Sequence, residues 1–417
     1  MAYRLIGKDF IPPDIHGKVT GRAKYSEDFR FENMAYCRLL TSPMPHARVL
    51  NVDTSAAEAM PGVLGILRAD EVPAMPAPGD PILSDEPMFV GQPILAVAAV
   101  DETTAHNAIE AIRIDYEPLP FTLDPLESLF PGGPDAREDG NVVDNRFIGP
   151  PSIKRIKWNA ADFATVDEGQ LPTGEPAAEW SYGDVEAGFE EAALVIDESF
   201  VTASMSHHSM EPRTAAAYWE NGKCHVFASS QSQSYVIPGL AQYLDIDPAD
   251  VVLVAETCGG GFGSKAQAYP TMSIPAHMSK KIGRPVMMRI SRAEEYFLGQ
   301  ARTGFQGRIR LGFSADGRIT AADVYVVQEN GASVGFPDWP SSGETVSILY
   351  QPPAMRWRGI AVQTNTPPRN AQRGPGHNQT VSAVEPLIDK AARELGIDRL
   401  EIRRVNAPGR EGRMGES

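Results

Sequence analysis

The sequence predicts an α+β fold built from two main domains. Three observations carry this. The chain has 417 residues, 42% apolar and 22% charged, which is an ordinary globular composition and leaves length for two or three domains. Strand-like runs and helical stripes occur together on both sides of a break. The break is residues 121–178, rich in Pro, Gly and Asp and with little hydrophobic periodicity.

In chain order, residues 1–17 form an arm that docks elsewhere, kept extended by Pro12-Pro13. The first domain covers 18–120. Its run 93–100 is continuously apolar and reads as a buried strand. Asp101 can cap the following helix, whose Ala105, Ala108, Ile109 and Ile112 share one face. Residues 113–116 return as a strand. Residues 121–178 read as a surface linker with an insertion, part of which wraps a neighbouring subunit. The second domain covers 179–417. Strands are expected at 195–201, 224–229, 251–254 and 286–290, and helices at 233–244 and 266–278. Strands at 307–313 and 319–327 flank Ser314-Ala315-Asp316-Gly317, a hairpin signal. Val384, Leu387, Ile388, Ala391 and Leu395 make a helical stripe closed by Gly396, and Asp398 can cap a last short helix.

Composition excludes several functions. A net charge of −16 opposes binding to nucleic acid and to anionic membranes, and no basic run offsets it. No run of roughly 20 apolar residues exists to span a bilayer. The N-terminus lacks an apolar signal core. Cys37, Cys224 and Cys258 are too scattered for a C-x-x-C metal site or a disulfide framework, so a reducing, cytoplasmic setting is expected. An iron–sulfur cluster needs four thiolates, more than this chain has.

The stretch richest in chemistry is Cys258-Gly259-Gly260-Gly261-Phe262-Gly263-Ser264-Lys265. It joins an expected strand to an expected helix, the geometry in which backbone N–H groups converge on an anion. Glycines allow close backbone approach and positive φ. Two phosphate motifs fit badly. A P-loop would need Gly where Ser264 stands and a hydroxyl where Ala266 stands. A dinucleotide fingerprint would need Gly at Ser264. A tight structural turn is the plain alternative, but four glycines around one aromatic, ending in Ser-Lys, point to a ligand cradle of another kind.

Gly259 to Lys265 resembles the G-G-G-F-G-x-K signature of the molybdenum hydroxylases, the xanthine dehydrogenase and aldehyde oxidase family. Ser229-Ser230-Gln231 resembles the family's S-T-Q segment, and Gln231 precedes Gly259 by 28 residues, the family's spacing. Gln372-Arg373-Gly374-Pro375-Gly376-His377-Asn378-Gln379 resembles its R-G-x-G-x-x-Q loop. The three occur in the family's order. The resemblance implies an α/β hammerhead domain over 18–120, a largely structural part, and the first of two molybdopterin-binding domains over 179–417. It implies that Gln231 hydrogen-bonds an oxygen ligand of the metal, and that Gly260, Gly261, Phe262 and Gly263 seat the molybdenum and its pterin through backbone N–H groups. Arg373 and Gly374 are implied to support the pterin. No side chain is implied as a metal ligand, the molybdenum being held through the pterin. His207-His208-Ser209-Met210-Glu211-Pro212 resembles the family's H-x-x-M-E-P segment, which implies structural histidines bordering the pocket.

Departures from the family narrow the substrate. Purine-oxidising members carry a glutamate after the motif lysine, where this chain has Ala266, and often an aromatic where it has Pro375. They also carry a substrate-facing arginine, and the corresponding stretch near Ser341-Ser342-Gly343 has none. Purine discrimination needs such polar partners, so purines are not expected. The carbon monoxide branch carries a cysteine in the second loop, and none is present here. The expected activity is oxidation of an N-heteroaromatic or aldehyde with water as the oxygen source.

The family's base glutamate lies in a second molybdopterin-binding domain. This chain ends at Ser417, soon after the first. The resemblance implies that the second domain is a separate polypeptide, the alternative being that this chain is a piece of a longer one. Iron–sulfur and FAD subunits are implied as electron carriers, and the cofactor is expected in its cytosine dinucleotide form. Such a half-site should expose apolar surface for its partner. Two other functions share the scaffold: a molybdenum-dependent hydratase or hydroxyl-transfer enzyme, which needs no electron exit, and a non-catalytic cofactor-binding or assembly protein.

Overall fold

Two β-sheets, each built around buried apolar strands, organise the chain. The computed structural model describes residues 4–75, 80–144, 151–164 and 166–409. The first three residues of the expected arm, residues 76–79, residues 145–150 and 165 of the expected linker, and the C-terminal residues 410–417 lie outside this set.

Among the described residues the first sheet runs Val251–Val254, Lys223–Ala228, Ala215–Glu220, Val286–Met288, Ala35–Thr41, Pro93–Ala99, Val63–Leu67. Every residue of Pro93–Ala99 is buried, as its unbroken apolar run requires. This sheet joins both sides of the break: Ala35–Thr41 lies parallel to Val286–Met288, with Ala35 opposite Val286. The second sheet runs Ser152–Lys154, Val142–Asp144, Met355–Val362, Ile319–Glu329, Gly304–Phe313, Leu194–Thr202, and Ala178–Tyr182 also pairs with Met355–Val362. The long helix His377–Leu395 covers one face of this sheet, burying Val384 and Ile388 against Phe305, Ile309, Val324 and Trp357.

Local chemistry places most element ends. Asp101 accepts from Thr104 N at 2.7 Å to open Glu102–Ala111. Gly396 closes His377–Leu395 with φ +70°, and Asp398 accepts from Leu400 N and Glu401 N. The helix after the glycine stretch differs from expectation. It spans Pro270–Ile282 rather than 266–278. Pro270 sits at the first helical position, where no donor is needed. Residues 264–266 instead turn back, with Ser264 N and Ala266 N donating to Gly261 O and Gly263 O.

The surface linker expected at 121–178 is corrected in part. This stretch contributes the helix Pro125–Leu129 and the strands Val142–Asp144 and Ser152–Lys154. Trp158 is 2% exposed and packs with Leu129, Val142, Tyr325 and Val362 on the second sheet. Its indole Nε1 donates to Glu175 O at 2.9 Å. A few large apolar side chains suffice to pin a segment without periodicity to a sheet face.

Leu5, Ile6, Phe10 and Ile11 of the arm are exposed. Among the described residues no helix is long and apolar enough to cross a membrane.

Candidate functional site

The two glycine-bearing loops meet between the sheets. The first leaves Val251–Val254 at the edge of the first sheet, and the second leads into His377–Leu395 on the second. In the first, Gly260, Phe262 and Gly263 all have positive φ, at +102°, +57° and +121°. For Phe262 that conformation costs roughly 1–2 kcal/mol, and its ring stays partly exposed. Gln231 clasps the loop. Its Oε1 accepts from Gly263 N at 2.9 Å and Lys265 N at 3.2 Å, and its own backbone N–H donates to Lys265 O. An added Cβ meets a neighbour at two positions, a side chain at one and backbone at the other. A Cβ on Gly261 would lie 2.1 Å from Gln231 Oε1, and one on Gly263 would lie 2.1 Å from Ala371 O. Arg373 N donates to Phe262 O at 2.6 Å, and its guanidinium lies 5.6 Å from the Phe262 ring centre. The structure thus brings Gln231, Gly261, Phe262, Gly263, Arg373 and Gly374 together. Gly260 lies behind them, its carbonyl taking the Cys258 thiol at 3.5 Å.

The second loop is held by Arg302, which sequence reading missed. Its Nε donates to Gln372 Oε1 at 2.7 Å, Nη2 to Arg373 O at 2.9 Å, and Nη1 to Gln379 Oε1 at 2.9 Å and Gly374 O at 3.2 Å. Gln379 Nε2 donates in turn to Thr303 Oγ1 and Asp338 Oδ2, and Thr303 Oγ1 to Asp338 Oδ2 at 2.7 Å. Asp338 Oδ1 has no partner among the described residues. Burial pushes the Asp338 carboxyl up to about 6 from 3.8. Between those values the folded state keeps a proton that the unfolded state releases, so this group's contribution falls as pH rises through the window. Asp338→Asn keeps the acceptor at Oδ2 and removes that slope. The variant should match the parent near pH 4 and exceed it by on the order of 2 kcal/mol at pH 7. Denaturant melts at the two pH values check this, and equal stability differences at both would refute it.

Residues 207–213 tie both loops to the body of the protein. His207 Nε2 donates to Ala371 O at 2.8 Å, and burial lowers its pKa to about 4, keeping the ring neutral. Glu211 Oε2 accepts from Gly259 N at 2.6 Å and Ser229 Oγ at 2.7 Å. The buried Lys265 ammonium donates to Glu211 O at 2.5 Å and Ser229 Oγ at 2.8 Å, and burial lowers its pKa. Arg213 and Glu295, both buried, pair at 2.5 Å, and Arg213 Nη2 donates to Ser264 O at 2.6 Å. His207 and Glu211 are each bonded in a different direction. Among the described residues no group of three or more His, Cys, Asp or Glu could hold a metal ion. The sequence signal for Glu211 was present in the H-x-x-M-E-P match. Arg302 and Asp338 carry none.

Beside Phe262 opens a cavity of about 710 Å³, lined among others by His207, Arg302, Arg373, Asn378 and Ser382. Gln231 is not on its lining. The stretch Ser341-Ser342-Gly343, read from the sequence as lacking a substrate-facing arginine, lies inside a helix. All three are buried in the helix Pro340–Tyr350, and a Cβ on Gly343 would lie 2.5 Å from the Trp357 ring. Trp357 also donates from Nε1 to Ser342 Oγ at 2.7 Å, and Ser341 faces Gly376 of the second loop.

A heteroatom-rich ligand fits this seat. Gln231 Oε1 is consumed by the loop, and its amide N–H₂ meets no acceptor among the described residues. The same holds for the N–H groups of Gly261, which is buried, and Phe262. For the buried Gly261 such a donor without an acceptor is rare unless something else satisfies it, whereas Gln231 and Phe262 are exposed and their donors are open to a ligand or to solvent.

Two family models match most of the chain. Residues 170–407 match the family described as molybdopterin cofactor-binding domain, and residues 20–120 match the aldehyde oxidase and xanthine dehydrogenase a/b hammerhead domain. The chain is 31% identical over 405 residues to a probable xanthine dehydrogenase subunit of Bacillus subtilis, covering 95% of this chain and 50% of the relative. It is 28% identical to the nicotinate dehydrogenase large molybdopterin subunit of Eubacterium barkeri, covering 97% of this chain and 90% of the relative. The crystal structure of quinoline 2-oxidoreductase from Pseudomonas putida 86 superposes with a TM-score of 0.80 at 26% identity, over 98% of this chain and 52% of that one. The chain therefore spans about half the length of two of these three relatives.

Proposed function

Since the chain belongs to the aldehyde oxidase and xanthine dehydrogenase family of molybdenum hydroxylases, we propose that it is the molybdenum-cofactor-binding subunit of a multi-subunit hydroxylase. One observation carries the reading. Gln231 has spent its oxygen on the glycine loop, so it can offer a ligand only N–H donors. With Gly261 and Phe262 it forms a set of neutral donors on one small seat, suited to the oxygen-rich face of a metal–pterin. The molybdenum–pterin group supplies oxygen insertion and a two-electron sink when bound. The chain's part is to hold that group. Gln231 orients it without adding charge, Phe262 walls it, and Arg373 and Gly374 brace the facing loop.

The substrate is proposed to be an N-heteroaromatic or an aldehyde. Ala266 and Pro375 leave no carboxylate and no aromatic ring where purine oxidisers of the family carry them. All three relatives bear the names of N-heteroaromatic compounds, two of them, nicotinate and quinoline, outside the purines and one, xanthine, a purine. The cofactor is proposed in its cytosine dinucleotide form. The opposite wall of the pocket and the base belong to a second molybdopterin-domain polypeptide, and electrons leave through iron–sulfur and FAD subunits. A relative of nearly this length, called a large molybdopterin subunit, is consistent with such a division.

Metal and pterin analysis of the complex purified from its native host tests the reading; absence of molybdenum and pterin would sink it. Within a loaded complex, Gln231→Ala should lower turnover about 10–100-fold at unchanged molybdenum content. Unaltered turnover would remove Gln231 from the site.

A further inference from the structure

Among the described residues, Glu211 is the one carboxylate that touches both the glycine loop and the N-terminal part of the chain. Its Oε1 accepts from Ser26 N at 3.1 Å and Ser26 Oγ at 2.7 Å. Its Oε2 accepts from Gly259 N at 2.6 Å and Ser229 Oγ at 2.7 Å. Ser26 opens the short turn Ser26–Asp28, and is itself buried. The same junction is reinforced one residue before the loop, where Thr257 Oγ1 donates to Lys24 O.

We propose that Glu211 is a positioning residue that sets the glycine loop, carrying the placement of the 24–26 turn through to Gln231. The proposal rests on the functional reading above for what the loop holds. Its own content is the bonded path. Four donors converge on one side chain that is 8% exposed, and only a carboxylate accepts all four without presenting a donor of its own. Lys265 Nζ lies 3.9 Å from Glu211 Oε2 and supplies the balancing charge. That lysine is bonded at both ends. Its ammonium holds Glu211 O and Ser229 Oγ, while its backbone N–H reaches Gln231 Oε1 at 3.2 Å. Any shift of Glu211 therefore moves the group that holds Gln231 in place. In Glu211→Gln, the new amide N–H₂ must face either Gly259 N–H or Ser26 N–H, donor against donor, and Lys265 loses its counter-charge.

The test is hydrogen–deuterium exchange of the full chain in its complex, with steady-state kinetics alongside. Glu211→Gln should speed exchange of the amides of Gly259, Gly263 and Lys265 about tenfold. The strands of the second sheet should keep the parent's rates. Turnover should fall by a similar factor at unchanged KM and unchanged molybdenum content. Ser26→Ala is the gentler variant, and it decides the matter if Glu211→Gln does not fold. Ser26 makes no bond to the loop itself among the described residues, and Thr257→Val cuts the other link from this turn, the bond to Lys24 O. Exchange at Gly259 and Lys265 about threefold faster in Ser26→Ala and unchanged in Thr257→Val assigns the path to Glu211, and the reverse pattern overturns it. Unchanged loop exchange in the folded Glu211 and Ser26 variants overturns the proposal. So does faster exchange spread evenly over the chain, which is general destabilisation. A parent complex without molybdenum would defeat the functional reading alone, because the exchange readout does not depend on the cofactor.

Discussion

Gly263→Ala is expected to leave the complex largely without molybdenum and pterin and to lower turnover more than about 100-fold. The backbone at Gly263 has φ +121°, a conformation that alanine rarely adopts. The added Cβ would lie 2.1 Å from Ala371 O and 2.9 Å from Ala371 C. Those are backbone atoms of the facing loop, and His207 fixes the same carbonyl from the other side. The two loops must therefore separate, which breaks the bond from Arg373 N to Phe262 O. Gly261→Ala makes an informative comparison. Its Cβ would meet the side chain of Gln231, which can swing away, so the variant should load cofactor yet resemble Gln231→Ala in turnover. Molybdenum content and turnover measured on both separate the effects. Normal loading of Gly263→Ala would show that the loops do not abut as described.

Arg213→Met should cost about 3–5 kcal/mol of stability, the usual result of stripping one partner from a buried ion pair. Arg213 is fully buried and Glu295 nearly so. Glu295 accepts from Arg213 at both Nη1 and the backbone N–H, at 2.5 and 2.9 Å. The guanidinium also holds Ser264 O and stacks 4.9 Å from the Tyr269 ring centre. Methionine fills much of the volume but leaves a buried carboxylate unpaired. Adding Glu295→Gln should recover a good part of the loss, since the two sites share one interaction. Denaturant midpoints of the single and double variants provide the measurement. A single-variant loss below about 1 kcal/mol would mean that water reaches the pair.

The parts of this structure legible in the sequence are those whose cause is local. Asp101 and Asp398 announce helix starts and Gly396 a helix end, because caps act within a few residues. The glycine stretch is legible for the same reason, since its conformation excludes other residue types. Long-range causes leave no such mark. The parallel pairing of Ala35–Thr41 with Val286–Met288 could not be read from either strand. Trp158 pins a segment that has no period, and one of five aromatics scattered through a Pro- and Gly-rich stretch looks like any other. Arg302 is an isolated arginine whose four bonds appear only once the second loop is folded. Gly343 is another such case: its smallness makes room for the indole of Trp357, a contact that nothing beside it in the sequence announces.

The sheet that joins the two sides of the break also bears on synthesis. Ala35–Thr41 emerges from the ribosome about 250 residues before the strand that covers its outer edge. At roughly 5–20 residues per second, that edge stays open for about 12–50 seconds. During this interval the nascent chain offers unpaired backbone donors and acceptors to any neighbouring polypeptide.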